Sequence, residues 1–406
     1  MKDYIKQHRQ ERDRLLGMVY VEREGLQKAR GYLKNDLIKI ITGPRRAGKS
    51  IFALMMLKHT NFAYVNFDDE ALKSVLQIGN YDDLWGVLDE VYPDNRYILF
   101  DEIQNLKDWE LFVNKSHRRG RNLILTGSNA KLLSGEWATA LTGRTIEFEV
   151  WPFSFSEYLL VKKGGTVLDY LQTGGFPEVV TKSLEAREYA QGLVNSILIK
   201  DITTRHNINR QQLLLDLNQY LSTQFTCDIS YSNLAKIFGL SSANTIQKYV
   251  GYLQNPYLYF LLDRFHFKTK MRITSSKKLY LIDTAFAPLG ISADTGKLLE
   301  NAVFLSLLKV GFEPNRDQFY FKTKNGKEID FVIKKNHQIA ALLQVCLQLE
   351  NPKTLAREVS ALHEAGRELN CQRKIIITQE IQKNLSEVSE IEIIKANDWL
   401  LNPSVK

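Results

Sequence analysis

Leu37-Ile38-Lys39-Ile40-Ile41-Thr42-Gly43-Pro44-Arg45-Arg46-Ala47-Gly48-Lys49-Ser50-Ile51 is the stretch on which the reading of this chain turns. It contains G-x-x-x-x-G-K-S, a pattern suited to gripping a phosphate chain. Gly43 and Gly48 let the backbone wrap closely, so the N–H groups across Pro44, Arg45, Arg46 and Ala47 turn inward toward phosphate oxygens. Lys49 is placed to reach β- and γ-phosphates, and the Ser50 hydroxyl to join a Mg²⁺ shell. The apolar run before Gly43 reads as a buried strand. Ile51 to Leu57 reads as the helix that leaves the loop, its positive end aimed at the same anion. Strand, loop and helix in that order predict ATP and Mg²⁺ as cofactors.

A second element extends the pattern. Tyr97-Ile98-Leu99-Phe100 is an apolar strand ending in Asp101-Glu102. Asp101 is expected in the metal shell and Glu102 as the base that polarises the attacking water. Further strands are expected at 62–67, 122–127 and 145–150, with helices between. Such alternation predicts an α/β fold built on a parallel, doubly wound sheet. Ligands of such sheets gather at the carboxyl ends of strands. Ser128 and Asn129, just past the strand at 122–127, are therefore expected to sense the γ-phosphate or position water, with a helix cap as the plainer use of the same side chains. Arg144, which precedes the last strand, is a candidate to stabilise transition-state charge. Action on a neighbour's nucleotide would require a homo-oligomer.

The chain has 406 residues, enough for two to four domains. Its 44% hydrophobic and 25% charged content is that of a folded protein. No apolar run has the length of a membrane span, and the charged start lacks the apolar core of a secretion signal. The three cysteines, Cys227, Cys346 and Cys371, form no C-x-x-C pair. These features predict a cytoplasmic protein without structural zinc or a membrane partner. The net charge of +8 permits a nucleic-acid partner.

Five motifs stand in one order: Gly43 to Ser50; Asp101-Glu102-Ile103-Gln104; Thr126-Gly127-Ser128-Asn129; Trp151-Pro152-Phe153-Ser154-Phe155-x-Glu157; and Gly174-Gly175-Phe176-Pro177-Glu178. Together they resemble the bacterial and archaeal AAA-type ATPases that carry a C-terminal domain of unknown function. The resemblance covers nearly the whole chain. It implies a helical lead-in over 1–34, an ATPase core over 35–150, a helical lid over 151–205, a winged helix-turn-helix over 206–278 and a nuclease-like domain over 279–406. By the same resemblance, Pro177 lies near the adenine.

Residues 229–255 fit a helix-turn-helix. Ser242 is expected to cap a second helix that buries Ile246, Val250 and Leu253 and exposes Asn244, Gln247 and Lys248. Arg264, His266, Lys268, Lys270 and Arg272 then occupy alternate positions. In a strand they would form one basic face, able to contact phosphates as a wing. Further on, Glu300, Asp330, Gln344 and Cys346 fall in the order of a PD-(D/E)xK nuclease centre. There, two acids and a lysine serve a metal and its water. Gln344 replaces the second acid and Cys346 the lysine, which predicts an inactive site unless Lys322 or Lys324 substitutes. The leading reading is an ATP-hydrolysing switch that engages DNA. The alternatives are an ATP-gated nuclease and an ATPase that docks a protein partner.

Overall fold

The computed structural model describes residues 1–76, 81–128, 141, 143–203, 206, 208–288, 294–380 and 390–405. They form two compact units, Met1–Pro152 and Phe153–Lys406.

The first unit is an α/β layer structure. Strands β1 (Ile38–Thr42), β2 (Phe62–Asn66), β3 (Tyr97–Asp101), β4 (Leu123–Gly127) and β5 (Thr145–Glu149) form one sheet in the order β2-β3-β4-β1-β5. Every pairing is parallel. β1 to β4 are buried on both faces because helices cover both, whereas the edge strand β5 buries only Phe148. Ile40, Val65, Phe100 and Leu125 enter one core, while Ile41, Tyr64, Leu99 and Ile124 enter the other. The lead-in belongs to this unit: Ile5 of the helix Lys2–Leu16 is fully buried in the first core.

The second unit holds two further sheets. β6 (Asp228–Ile229), β8 (Lys277–Leu281) and β7 (Tyr259–Asp263) form a small antiparallel sheet. The helices Tyr231–Ile237 and Ala243–Gln254 lie between β6 and β7 in sequence. The second of these begins as expected: Ser242 accepts from the Asn244 amide at 3.2 Å, and Ile246, Val250 and Leu253 are buried. The larger sheet runs β13 (Glu392–Lys395), β12 (Lys374–Thr378), β11 (Gln338–Cys346), β10 (Glu328–Lys335), β9 (Gln318–Lys322). Its β9-β10-β11 portion is antiparallel and its β11-β12-β13 portion parallel. The helix Thr295–Lys309 precedes this sheet, and Pro352–Leu369 crosses between β11 and β12. The expected division at 278 falls inside β8.

The basic strand expected over 264–273 does not form. β7 pairs with β8 so that Asp263 faces Lys277, which makes the intervening residues a connection. Within it Thr269–Thr274 is a short helix carrying Lys270 and Arg272. The Lys277 ammonium braces the turn, donating to Asp263 at 2.7 Å and to the Arg272 carbonyl at 2.9 Å. Arg264 instead bridges to Tyr320 and donates to the Lys322 carbonyl at 2.9 Å. Lys268 and Lys270 are exposed, but so are Phe267 (78%) and Ile273 (69%), so no apolar face opposes a basic one.

The Gly174-Gly175-Phe176-Pro177 turn has a packing reason. A Cβ on Gly174 would stand 1.9 Å from the Asp283 carboxylate, and one on Gly175 would stand 2.3 Å from the Phe153 carbonyl. Asp283 also accepts from the Gly175 amide at 2.7 Å. Gly175→Ala is expected to lower stability by about 1–3 kcal/mol through overpacking. Thermal melting of the variant beside the parent checks this, and an unchanged melting temperature would show that the Phe153 backbone can move aside.

Candidate active site

The carboxyl ends of β1, β3 and β4 converge on one centre. Gly43 follows β1 at φ 140°, and a Cβ there would lie 2.1 Å from the Val150 carbonyl. No side chain fits that approach. Pro44, Arg45, Arg46 and Ala47 form the crest, with Arg46 at φ 68°. Gly48, at φ 94°, starts the helix Lys49–Leu57, in which Ile51 is half-buried against the core. Arg23 from the N-terminal segment braces the crest, donating to the Ala47 carbonyl at 2.9 Å and the Trp151 carbonyl at 2.6 Å.

Asp101 ends β3 and is buried. It accepts from Ser50 Oγ at 2.8 Å, from Tyr64 OH at 3.2 Å and from the Thr126 hydroxyl. Burial, and then the adjacent Glu102 charge, push its carboxyl up to about 6. No cation of this chain neutralises it at hydrogen-bond distance among the described residues. Ser50 and Asp101 together offer the oxygen-only donors that a hard divalent ion prefers.

Glu102 has left the strand, at φ 52°. Its amide donates to Thr126 Oγ1 at 2.9 Å. Its carboxylate accepts from Ser128 Oγ at 3.0 Å and from the Gln104 amide, and lies 3.6 Å from the Lys49 ammonium. Burial alone would raise this carboxyl. Lys49, Gln104 and Ser128 together hold it below the usual range. Lys49 itself is buried and donates to the Pro44 carbonyl at 3.0 Å.

Three other candidates stand apart. Asn129 lies outside the described residues. Arg144 is exposed, donates to Asn114 at 3.0 Å, and precedes β5 where Thr145 pairs with Ile38. That is the amino end of β1, one strand of about 13 Å from the loop, which removes a role on its own subunit's nucleotide. Pro177 belongs to the second unit, where it opens the helix Pro177–Lys182.

Three comparisons bear on this centre. Residues 35–159 match a family model described as an AAA domain. Residues 165–295 and 295–395 match two domains of unknown function, DUF8612 and DUF4143. An uncharacterized protein of Methanocaldococcus jannaschii is 35% identical over 367 residues, covering 84% of this chain and 81% of its own length. This chain belongs to the AAA-type ATPases with C-terminal domains of unknown function. It is accordingly an ATP-binding P-loop ATPase. An uncharacterized protein of Haemophilus influenzae is 28% identical over 93% of this chain and 97% of its own. A Walker-type ATPase of Pyrococcus abyssi superposes with TM-score 0.45 at 15% identity, over 67% of this chain and 98% of that one.

In the C-terminal part of this ATPase, Glu300 and Asp330 do come together, around a lysine not foreseen from the sequence. Lys278 Nζ lies 2.8 Å from Glu300, 2.7 Å from Glu328 and 2.9 Å from Asp330. Burial pushes Glu300 up to about 8 although Lys278 opposes it. Gln344 is turned away from any metal role: its carbonyl accepts from the Asp330 amide at 3.3 Å and its amide donates to Glu358 at 2.7 Å. The Cys346 thiol, raised by burial, donates to the Gln348 carbonyl at 3.0 Å. Lys322 reaches only the margin, 3.3 Å from Glu328 and 2.5 Å from Asp228. Lys324 meets Glu368 through its backbone amide.

Thr126, which opens the third motif with no role expected of it, touches both acids, and Tyr64 on β2 touches Asp101. Thr126→Val removes a hydrogen bond to a buried charge and leaves the Glu102 amide unpaired. Its expected effect is about a tenfold or greater fall in ATP turnover, the scale of a hydrogen bond to a charged group. Steady-state hydrolysis at saturating ATP reads it, and a parental rate would leave Thr126 a packing residue.

Proposed function

We propose that this ATPase is a molecular switch that hydrolyses magnesium-bound ATP at the Lys49–Asp101–Glu102 centre and engages nucleic acid through the helix Ala243–Gln254. The observation that supports the first part is the convergence of Ser50, Asp101, Glu102 and Ser128 beside Lys49. Ser50 and Asp101 would hold the ion. When bound it would neutralise charge developing on the phosphate oxygens. Lys49 binds the phosphates. Its ammonium then leaves Glu102, whose carboxylate becomes a stronger base and takes a proton from the attacking water. Ser128 and Gln104 hold the Glu102 carboxylate in place. Arg144 would serve the nucleotide of an adjacent copy.

The nucleic-acid reading rests on the exposed face of that helix. Asn244, Gln247 and Lys248 are exposed opposite a fully buried stripe, the division expected of a helix that enters a groove. Lys268 and Lys270, exposed on the connection between β7 and β8, add positive charge within the same small sheet's loops. In this reading residues 206–278 act as a winged helix and 151–205 as a helical lid. The exposed Phe267, Met271 and Ile273 favour the second reading, a protein partner docked at the same connection.

Two measurements test these parts separately. Glu102→Gln should retain ATP binding and lose turnover by about a hundredfold or more, the scale of a lost general base. Lys49→Ala should weaken ATP binding itself. A Glu102→Gln enzyme turning over at the parental rate would remove Glu102 from the mechanism.

For the nucleic-acid part, Lys248, Lys268 and Lys270 replaced together by glutamine should flatten the salt dependence of DNA binding by up to about three units. Parent protein that binds neither DNA nor RNA at low salt would give the surface to the protein partner.

A further inference from the structure

Glu300, Glu328 and Asp330 meet in the C-terminal part of the chain, and Lys278 sits among them. An ammonium has three protons and no further donor capacity. Here it meets three carboxylates from two elements: the helix Thr295–Lys309, and β10 twice. Lys278 is 1% exposed, so water does not share these contacts. Each acid has one further partner. Tyr280 OH donates to Glu300 at 2.8 Å, the Val345 amide donates to Asp330 at 2.9 Å, and Lys322 pairs with Glu328.

A divalent cation held by the same oxygens would have to sit where Nζ sits. Mg²⁺ binds oxygen at about 2.0–2.1 Å and takes about six ligands. The ammonium fills that space, and its charge repels a second cation at such range. Among the described residues no group of His, Cys, Asp and Glu is arranged to hold a metal ion. The acids expected to bind Mg²⁺ therefore do not fit that task while Lys278 is present.

We infer that Lys278 is a built-in cation that takes the place of a metal, making this centre a metal-free brace between β8, the helix Thr295–Lys309 and β10. The loss of the second acid and the lysine, at Gln344 and Cys346, is on this account secondary. Restoring them by Gln344→Glu and Cys346→Lys alone will not create a metal site.

The test is a Mn²⁺ titration of the full chain without nucleotide, read by electron paramagnetic resonance. Three proteins are compared first: the parent, Asp330→Asn, and Lys278→Met. The parent and Asp330→Asn should bind the same amount of Mn²⁺. Lys278→Met should gain one equivalent, and Lys278→Met/Asp330→Asn should lose it again. That gained ion should raise the melting temperature of Lys278→Met by about 5–10 °C at a hundredfold excess over its Kd. Should Lys278→Met fail to fold with or without Mn²⁺, Lys278→Met/Glu300→Gln, with one fewer uncompensated charge, carries the same comparison. Parental Mn²⁺ binding that falls in Asp330→Asn would overturn the inference. So would a folded Lys278 variant that gains no Mn²⁺.

Discussion

A single buried carboxylate joins the parts of the nucleotide centre. Asp101 closes β3, and its oxygens accept from Tyr64 on β2, Thr126 on β4 and Ser50 on the helix that follows the phosphate loop. Two neighbouring strands and the helix after the phosphate loop thus meet on one side chain. A buried charge met only by hydroxyls is costly to keep, and its carboxyl is accordingly pushed upward to about 6. The site holds that cost in advance of its ligand. In the proposed mechanism a cation beside Ser50 and Asp101 would gain the electrostatic energy that the hydroxyl partners leave unclaimed.

Glu102, one residue on, is handled in the opposite way. The chain breaks out of the strand into a left-handed conformation, which turns the carboxylate from the sheet toward Lys49, Gln104 and Ser128. Two successive acids therefore take different environments from one local feature, a kink after β3. The first lacks a neutralising cation close at hand, whereas the second has Lys49 within 3.6 Å. In the proposed mechanism Lys49 also has the phosphates as a target, which would couple nucleotide binding to release of Glu102 through one ammonium.

The parallel sheet and the phosphate loop were legible because their signals are local. Apolar runs bounded by glycine and acidic residues mark strand ends within a residue or so, and the G-x-x-x-x-G-K-S spacing admits one backbone path. The basic strand failed for an equally physical reason. Alternation of Lys and Arg over 264–272 is compatible with a strand, but strands need a partner. The Asp263–Lys277 register assigns these residues to a connection, where a short helix satisfies their backbone. Tyr64 and Arg23 escaped notice because nothing nearby in sequence marks them; both act on residues more than twenty positions away. Lys278 escaped for the same reason. Its acids lie on a helix and a strand that follow it, and only the fold brings them to one point.

The two acid centres show how a fold decides whether it needs a metal. At Asp101 the near partners are neutral hydroxyls, and in the proposed mechanism a hard cation would supply the missing positive charge. At Asp330 a lysine from the adjoining small sheet supplies the positive charge permanently. A buried ammonium among carboxylates holds them together only while it remains, because removing it leaves buried acids without their cation. Such a cluster fixes the mutual position of its elements as firmly as a bound ion would, and it does so without any dependence on supply from solution. The consequence is a division of labour within one chain. The N-terminal unit keeps an unbalanced charge that binds and turns over its ligand. The C-terminal part supplies a cation to its acids from within, which suits the cluster to hold β8 against the helix Thr295–Lys309 and β10.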